Sequence, residues 1–227
     1  MSPILGNLYL HHVLDLWFEK TVRKQCLGKA YMIRYADDFV CCFQYKQDAV
    51  RFYQALQQRL DKFAFTIAED KTKIIEFGRF AKQHCGVSSK LATFDFLGIT
   101  HYCGQSYQGK FRVKRRTSRK KFQASLQRMK MWIRENRSRP VAELMRELSR
   151  KLQGYYQYYG ITDNGPRLHE FFYHVRWTLF KWLNRRSQRK SFDASKYTMF
   201  LAKFPLHAPK IHVNIMNFRM TPTYFRE

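Results

Sequence analysis

Acidic residues are scarce in this sequence of 227 residues, which has 17 Asp and Glu against 42 Lys and Arg. The resulting formal net charge of +25 opposes folding through self-repulsion, so it favours a polyanionic partner. Nucleic acid is the first candidate. An anionic membrane surface is the alternative, although the basic residues are spread over several predicted helices rather than gathered in one block.

Long apolar runs and paired cysteines are absent as well. No stretch of 18 consecutive apolar residues occurs, which argues against a transmembrane helix and a membrane partner. The odd number of cysteines and the lack of any Cys-x-x-Cys pair imply neither a zinc site nor a disulfide framework, and are typical of reduced cytoplasmic thiols. With 45% hydrophobic and 17% aromatic residues, the chain can form a packed core. The cysteines are Cys26, Cys41, Cys42, Cys85 and Cys103.

The excess of positive charge is concentrated in the second half of the chain. Positions 1–113 hold 16 basic and 10 acidic residues, a net charge of +6, and positions 114–227 carry the remaining +19. The hydrophobic pattern changes at the same point, from mixed to helical. We therefore predict an α+β protein with three regions: an α/β region over 1–113, a helical region over 114–187 and a basic extension over 188–227.

Hydrophobic spacing predicts the elements of both regions. In the first region we expect helices over 7–25 and 48–63, hairpins over 30–43 and 94–113, short strands over 65–67 and 73–77, and a loop over 78–93. In the second we expect helices over 118–136, from Pro140 and from about 164, arranged as a small bundle. Four tyrosines near the end of the middle helix fit either the core or a base-stacking surface: Tyr155, Tyr156, Tyr158 and Tyr159.

The most informative motif is Tyr35-Ala36-Asp37-Asp38, which lies between two apolar runs rich in aromatic and β-branched residues. That pattern predicts a strand, a tight turn and a second strand, with the acids at the turn. Adjacent carboxylates repel each other unless a cation lies near them. A solvated turn is the simple interpretation, and a magnesium site is the functional one, since Mg²⁺ binds carboxylates together with substrate phosphates.

Several short motifs occur in an order that resembles group II intron reverse transcriptases, also called intron-encoded maturases. Ser2–Asn7 with Leu8–Leu10 and Asp15 resembles the block before the catalytic turn, and Tyr35–Asp38 resembles the turn itself. Glu69–Lys73 and Phe96–Gly98 resemble the two blocks that follow. Residues 122–186 resemble the maturase-specific, or thumb, domain. The markers of that domain are Leu152–Tyr156, Tyr158-Tyr159, Trp182-Leu183 and Arg185-Arg186.

The resemblance implies roles for individual residues. Asp37 and Asp38 would be catalytic and would bind two Mg²⁺ ions, while Tyr35 and Ala36 would shape the active-site turn. Lys71 would lie near the nucleotide or its pyrophosphate, or is an ordinary surface lysine. Leu97 and Gly98 would grip the primer, or form a simple strand kink. The basic residues of the helical region would contact RNA phosphates: Lys114, Arg115, Arg116, Arg119, Lys120, Lys121, Arg128, Lys130 and Arg134.

The fold implied is the C-terminal part of a reverse-transcriptase palm, an antiparallel sheet with helices, followed by an all-α thumb or maturase bundle. The function implied is that of an RNA-directed DNA polymerase which also binds group II intron RNA and assists its splicing. Its partners would be that RNA, a DNA primer on an RNA template, and deoxynucleotides, in the cytoplasm of a bacterium or within an organelle. The resemblance leaves a homodimer open.

One departure from the family pattern limits the activity that we expect. The family's third metal-binding carboxylate and its fingers lie upstream of the blocks found here, and Asp15 and Glu19 fall on a predicted helix. We therefore expect one carboxylate ligand to be missing from this chain and the isolated chain to be inactive as a polymerase. The alternative is a non-catalytic RNA-binding maturase module that aids the folding of intron RNA.

Overall fold

The computed structural model of the protein describes residues 3–84, 90–186 and 192–217. The chain divides into two compact units, Met1–Leu97 and Gly98–Glu227. Both units contain helices and short antiparallel strands, which confirms the predicted α+β class. Within the described ranges, every helix is too short or too polar to cross a membrane.

The first unit begins with a long helical segment. It consists of α1 (Pro3–Leu10), two π-helical turns (His11–Asp15 and Phe18–Val22) and α2 (Arg23–Gln25). A hairpin of β1 (Ala30–Tyr35) and β2 (Asp38–Phe43) follows, and then α3 (Lys46–Asp61), α4 (Ala81–His84) and β3 (Thr93–Phe96). The helix and hairpin predictions over 7–25, 30–43 and 48–63 are therefore confirmed.

The core of this unit packs one side of the hairpin against helices. Phe18, Phe52 and Phe43 have mutual ring-centroid distances of 5.1–6.2 Å, and aromatic clusters of this kind stabilise a core beyond simple area burial. The buried Asp48 of α3 accepts hydrogen bonds from the N–H groups of Leu27 and Gly28, both at 3.2 Å. These contacts fix the bend from which β1 starts.

Two strand predictions in the first unit are wrong. Residues 65–67 and 73–77 form irregular segments, although their apolar and β-branched side chains favour strands. Phe65 and Ile67 are used instead as partly buried side chains against the hydrophobic core. The loop predicted over 78–93 contains the short helix α4, and its residues 85–89 lie outside the described ranges.

The second unit pairs a hairpin with a helical bundle. Strands β4 (Ile99–Gln105) and β5 (Phe111–Thr117) are antiparallel, with Ile99 opposite Thr117 and Gln105 opposite Phe111. The predicted strand over 94–102 is divided into β3 and β4, and β5 continues to Thr117, beyond the predicted end at residue 113. The helices are α5 (Arg119–Asn136), α6 (Val141–Tyr159), α7 (Gly165–Leu183) and α8 (Ala194–Lys203).

The bundle is built around apolar side chains that recur at helical spacing. Ile133, Leu148 and Leu179 have no exposed surface, and each belongs to a different helix. Tyr156 and Tyr159 are buried in this core, so for these two the core interpretation is right and a stacking surface is excluded. Tyr155 stacks on Phe171, with ring centroids 3.8 Å apart.

Asn164 connects the hairpin of this unit to its helices. It is fully buried, and its side-chain oxygen accepts from the N–H of Thr117 at 2.8 Å. Its side-chain nitrogen donates to Thr117 Oγ1 and to the carbonyl oxygen of Tyr159 at 2.8 and 2.7 Å. Replacing Asn164 would leave several buried donors and acceptors without partners, so this position strongly favours asparagine.

A segment after α8 packs back along the bundle. Ser149 Oγ of α6 accepts from the N–H of His207 at 3.1 Å and lies 2.5 Å from its Nδ1. The N–H groups of His212 and Val213 donate to the carbonyl oxygen of Gly160 at 2.7 and 2.9 Å. The region from residue 188, for which the sequence predicted only a basic extension, thus includes α8 and this returning segment.

Candidate functional site

The Tyr35–Asp38 motif forms the tip of the β1–β2 hairpin. Tyr35 pairs with Asp38, so Ala36 and Asp37 make a two-residue turn. Asp37 and Asp38 are both exposed, as is Tyr35 with 66% of its surface accessible. The prediction of a strand–turn–strand unit that presents two carboxylates is confirmed.

The turn requires an unusual backbone conformation at its first central residue. Ala36 has φ of +55°, in the left-handed region that residues other than glycine seldom adopt. Two-residue hairpin turns favour such positive φ angles because their twist matches the twist of the strands. A small side chain limits the cost, which for a non-glycine residue is of order 1–3 kcal/mol.

Arg34 anchors the turn through hydrogen bonds from its guanidinium group. Its Nη1 donates to the carbonyl oxygen of Ala36 at 2.7 Å, while Nε and Nη2 donate to the two carboxylate oxygens of Asp15 at 2.7 and 2.6 Å. Only 12% of the Arg34 side chain is exposed. This bidentate pair joins the hairpin turn to the preceding helical segment.

This role of Arg34 was not predicted, although the sequence contains a signal for it. Strand residues alternate between two faces, so Arg34 shares the inward face of β1 with Ala30 and Met32. A cation on the buried face of a strand needs an acidic partner nearby, and Asp15 is one of few acids available.

We expect the Asp15–Arg34 pair to make stability depend on pH. Burial acts to raise the pKa of the Asp15 carboxyl, but hydrogen bonds from Arg34 and His11 outweigh it and hold that pKa below its ordinary value of 3.8. A lowered pKa gives stability that is present above the ordinary value and lost as the pH falls through the lowered one. Asp15→Asn should therefore destabilise the protein at neutral pH, with a difference that shrinks below about pH 4.

Urea unfolding of both proteins between pH 3 and pH 7 measures this difference. Glu19→Gln is the matched control, because Glu19 forms a more exposed pair with Arg23 at 2.7 Å and exposed pairs contribute little. A destabilisation by Asp15→Asn that stays constant over the whole range would contradict the assignment.

The donor groups at the turn suit magnesium. Asp37 and Asp38 offer hard carboxylate oxygens, and Mg²⁺ is typically bound by one or two carboxylates, with substrate phosphates and water completing its octahedral shell. No cluster of three or more His, Cys, Asp or Glu side chains that could hold a metal is found in residues 3–84, 90–186 and 192–217. Two carboxylates can supply part of the oxygen ligands that Mg²⁺ needs.

Lys71, Leu97 and Gly98 lie at turns. Lys71 is exposed, and its N–H donates to the carbonyl oxygen of Ala68 at 3.0 Å. Leu97 and Gly98 have φ of +50° and +76°, so they interrupt the strand that the sequence predicted to continue through them. The positive φ of Gly98 favours glycine, and a Cβ there would also lie 3.2 Å from Lys121 Cγ and 3.3 Å from Tyr159 Oη.

The basic residues proposed to contact RNA differ in their surroundings. Lys114 and Arg115 are partly buried, and burial lowers the pKa of Arg115, whose Nη1 is 3.9 Å from Asp163 Oδ2. Arg116 lies over the ring of Tyr102 at 5.2 Å. The others are exposed on α5: Arg119, Lys120, Lys121, Arg128, Lys130 and Arg134.

The exposed cations of α5 do not all face the same way. Lys130 lines a groove between α5 and α7, whereas Lys121 lies against Gly98 and Arg128 donates to Ser125 Oγ at 3.2 Å. Arg134 lies 5.8 Å from the ring centre of Trp182. The first turn of α5, with Arg119, Lys120 and Lys121 in succession, is the densest group of cations on the helix.

Comparison with known families gives two successive matches. Residues 1–101 match the reverse transcriptase (RNA-dependent DNA polymerase) family, and residues 113–200 match the group II intron, maturase-specific domain. The first match contains the Asp37–Asp38 hairpin and the second contains the helical bundle. None of the curated proteins compared with the chain matches it. The order of the two matches is the order that the sequence motifs implied. The chain belongs to the group II intron reverse transcriptase/maturase family.

Proposed function

We propose that this chain carries the catalytic turn of an RNA-directed DNA polymerase together with a region that binds group II intron RNA and assists its splicing. The observation that supports the polymerase role most strongly is the hairpin tip. Two exposed carboxylates are held at a two-residue turn by Arg34, within a segment that matches reverse transcriptases. A solvated turn has no need of such anchoring.

The hairpin's own residues would position the reacting groups. Asp37 and Asp38 would hold two Mg²⁺ ions, which when bound stabilise the attacking 3′-hydroxyl and the leaving pyrophosphate. Ala36 has a small side chain beside the acids, which allows the primer backbone to approach closely. Arg34 fixes the turn through the Ala36 carbonyl oxygen, so the carboxylates would not need to reorganise during the reaction.

The helical region would supply the RNA contacts. Positions 114–227 carry a net charge of +19, and neutralising phosphates with Lys and Arg releases counterions and drives binding. Such contacts position RNA without reading its sequence. Intron RNA held in this way could be stabilised in its folded form, which is the assistance to splicing that we propose.

A non-catalytic maturase is the second candidate. Such a protein would bind intron RNA through the same helical region and would not need Asp37 and Asp38. Both activities can coexist in one chain. The aspartates would contribute only to polymerisation and the helical cations chiefly to RNA binding, so substitutions at the two places separate the candidates.

We expect the isolated 227-residue chain not to extend a primer. Asp37 and Asp38 are two of the three carboxylates that the family pattern implies, and Asp15 is committed to Arg34. Incubation with Mg²⁺, an oligo(dT) primer on poly(rA) and dTTP should give no product above that of Asp37→Asn/Asp38→Asn. Efficient extension that depends on Asp37 would overturn this expectation and show that two carboxylates suffice.

A further inference from the structure

Two large aromatic side chains are exposed on α7 where polar residues are usual. Tyr173 and Trp177 are one helical turn apart, with 66% and 59% of their surfaces accessible. The opposite side of α7 is buried through residues such as Phe171, Val175 and Leu179, so the helix already has its core face. Neighbouring exposed aromatics of this size mark a binding surface more often than an isolated one does.

The Trp177 ring is held in place rather than left free. It stacks on Phe180, with ring centroids 5.7 Å apart and planes inclined by 29°. Phe180 in turn packs against Tyr197 of α8 at 5.0 Å. A ring that is already packed against other rings loses little conformational entropy when a second flat group stacks on its exposed face.

A groove lined by polar and apolar side chains runs along α7 next to the row that carries this aromatic pair. It has a volume of about 640 Å³ and runs between α5 and α7. Lys130, Gln123 and Gln127 line it from α5, and Glu170, His174 and Thr178 line it from α7. His174 and the exposed Lys181 lie three residues before and four residues after Trp177 and are its neighbours on the helix surface, so a hydrogen-bonding group and a cation lie next to the ring.

The positive charges near Tyr173 and Trp177 favour an anionic partner. Helix α7 contains three Lys and Arg residues and one acid, Glu170. Glu170 accepts a hydrogen bond from Arg167 at 2.7 Å. The exposed Arg176 and Lys181 flank Trp177 along α7. Flat aromatic faces among cations suit bases joined by phosphates, and bases offer their faces only where they are unpaired.

We propose that Tyr173 and Trp177 form a stacking platform for unpaired nucleotides of RNA, with phosphates on Lys130 and Lys181. This inference rests on the proposed function, since it assigns part of the RNA contact to a defined surface. It differs from the contacts of the first turn of α5 in kind, because stacking distinguishes single-stranded from double-stranded RNA, whereas phosphate contacts do not.

Binding of a fluorescein-labelled oligouridylate and of an RNA duplex of equal length to the full chain tests the proposal. We expect Tyr173→Ala/Trp177→Ala to lose on the order of tenfold or more in affinity for the single strand, with duplex affinity changed less than about twofold. The salt dependence should keep its slope, because every phosphate-binding cation is retained. Trp177→Leu, which retains an apolar contact with Phe180, should show the same selective loss.

Tyr107→Ala is the matched control, because Tyr107 is fully exposed in the turn between β4 and β5; it should bind both RNAs as the wild type does. Unchanged single-strand affinity, an equal loss for both RNAs, or a change of oligomeric state in place of RNA affinity would overturn the inference. In those cases the proposed function stands if the wild type still binds a group II intron RNA. A wild-type chain that binds no RNA would overturn both.

Discussion

Replacing Asp37 and Asp38 together by asparagine is expected to abolish DNA synthesis while leaving the fold and RNA binding intact. Because we expect the isolated chain not to extend a primer, the measurement uses a fusion of the chain to the segment that precedes the catalytic turn in a full-length reverse transcriptase of the family. We expect primer extension by the fusion to fall by about 10³-fold or more, because the charges that stabilise the reacting oxygens are lost. Both side chains are exposed at a turn, so the free energy of unfolding should change by less than about 0.5 kcal/mol.

Asp61→Asn provides the matched control for the aspartate variant. Asp61 is an exposed aspartate at the end of α3, in the same unit as the hairpin. Its substitution removes one negative charge without touching the turn, so extension should stay at the level of the unsubstituted fusion. Retention of extension by Asp37→Asn/Asp38→Asn would exclude these carboxylates as metal ligands.

Neutralising the first turn of α5 is expected to weaken RNA binding strongly. Arg119, Lys120 and Lys121 are successive exposed cations, and the salt slope should fall by nearly one for each cation that no longer binds a phosphate. For Arg119→Gln/Lys120→Gln/Lys121→Gln we expect a loss on the order of 10²-fold in affinity for group II intron RNA and a slope smaller by about 2 to 3. Filter binding between 50 and 200 mM salt is the measurement.

A triple variant in the first unit controls for net charge alone. Lys46, Lys62 and Lys82 are exposed lysines there, and changing all three to Gln removes the same charge. If binding reflected only the overall excess of positive charge, both triple variants would weaken it equally. If RNA binds at a surface that includes the first turn of α5, the α5 variant should weaken binding much more than the control variant.

Much of the fold follows from periodic patterns in the sequence. The hairpin over 30–43 and the bundle helices have long, regular apolar spacing, and the structure places them within a few residues of their predicted bounds. Their signals are strong because burial on one face fixes the register of a strand and the phase of a helix. The carboxylate pair at the hairpin tip was predictable for the same reason.

The failures have physical causes that short patterns do not reveal. Phe65 and Ile67 look like strand residues, yet their side chains pack against the core from an irregular segment. The Leu97-Gly98 turn depends on two positive φ angles, which apolar flanks conceal. The Arg34–Asp15 pair joins residues 19 positions apart, and no local propensity encodes a contact at that separation.

The surface of α7 shows a different limit. Tyr173 and Trp177 fit a helical pattern as well as their buried neighbours do. In an aromatic-rich helix the sequence therefore does not show which rings are exposed to solvent. Only packing decides that Phe171 is buried and Trp177 is exposed. For helices with apolar residues on several sides, composition alone does not distinguish a core face from a binding face.

The central claim is that one chain carries a polymerase turn and a separate RNA-binding surface. Measuring primer extension and intron RNA binding for both variants in the same fusion, Asp37→Asn/Asp38→Asn and Arg119→Gln/Lys120→Gln/Lys121→Gln, tests it most directly. The account predicts that the aspartate variant loses extension and keeps RNA affinity, while the cation variant loses RNA affinity and still extends a primer at saturating template. Loss of both activities in either folded variant, or extension that survives without the two aspartates, would contradict it.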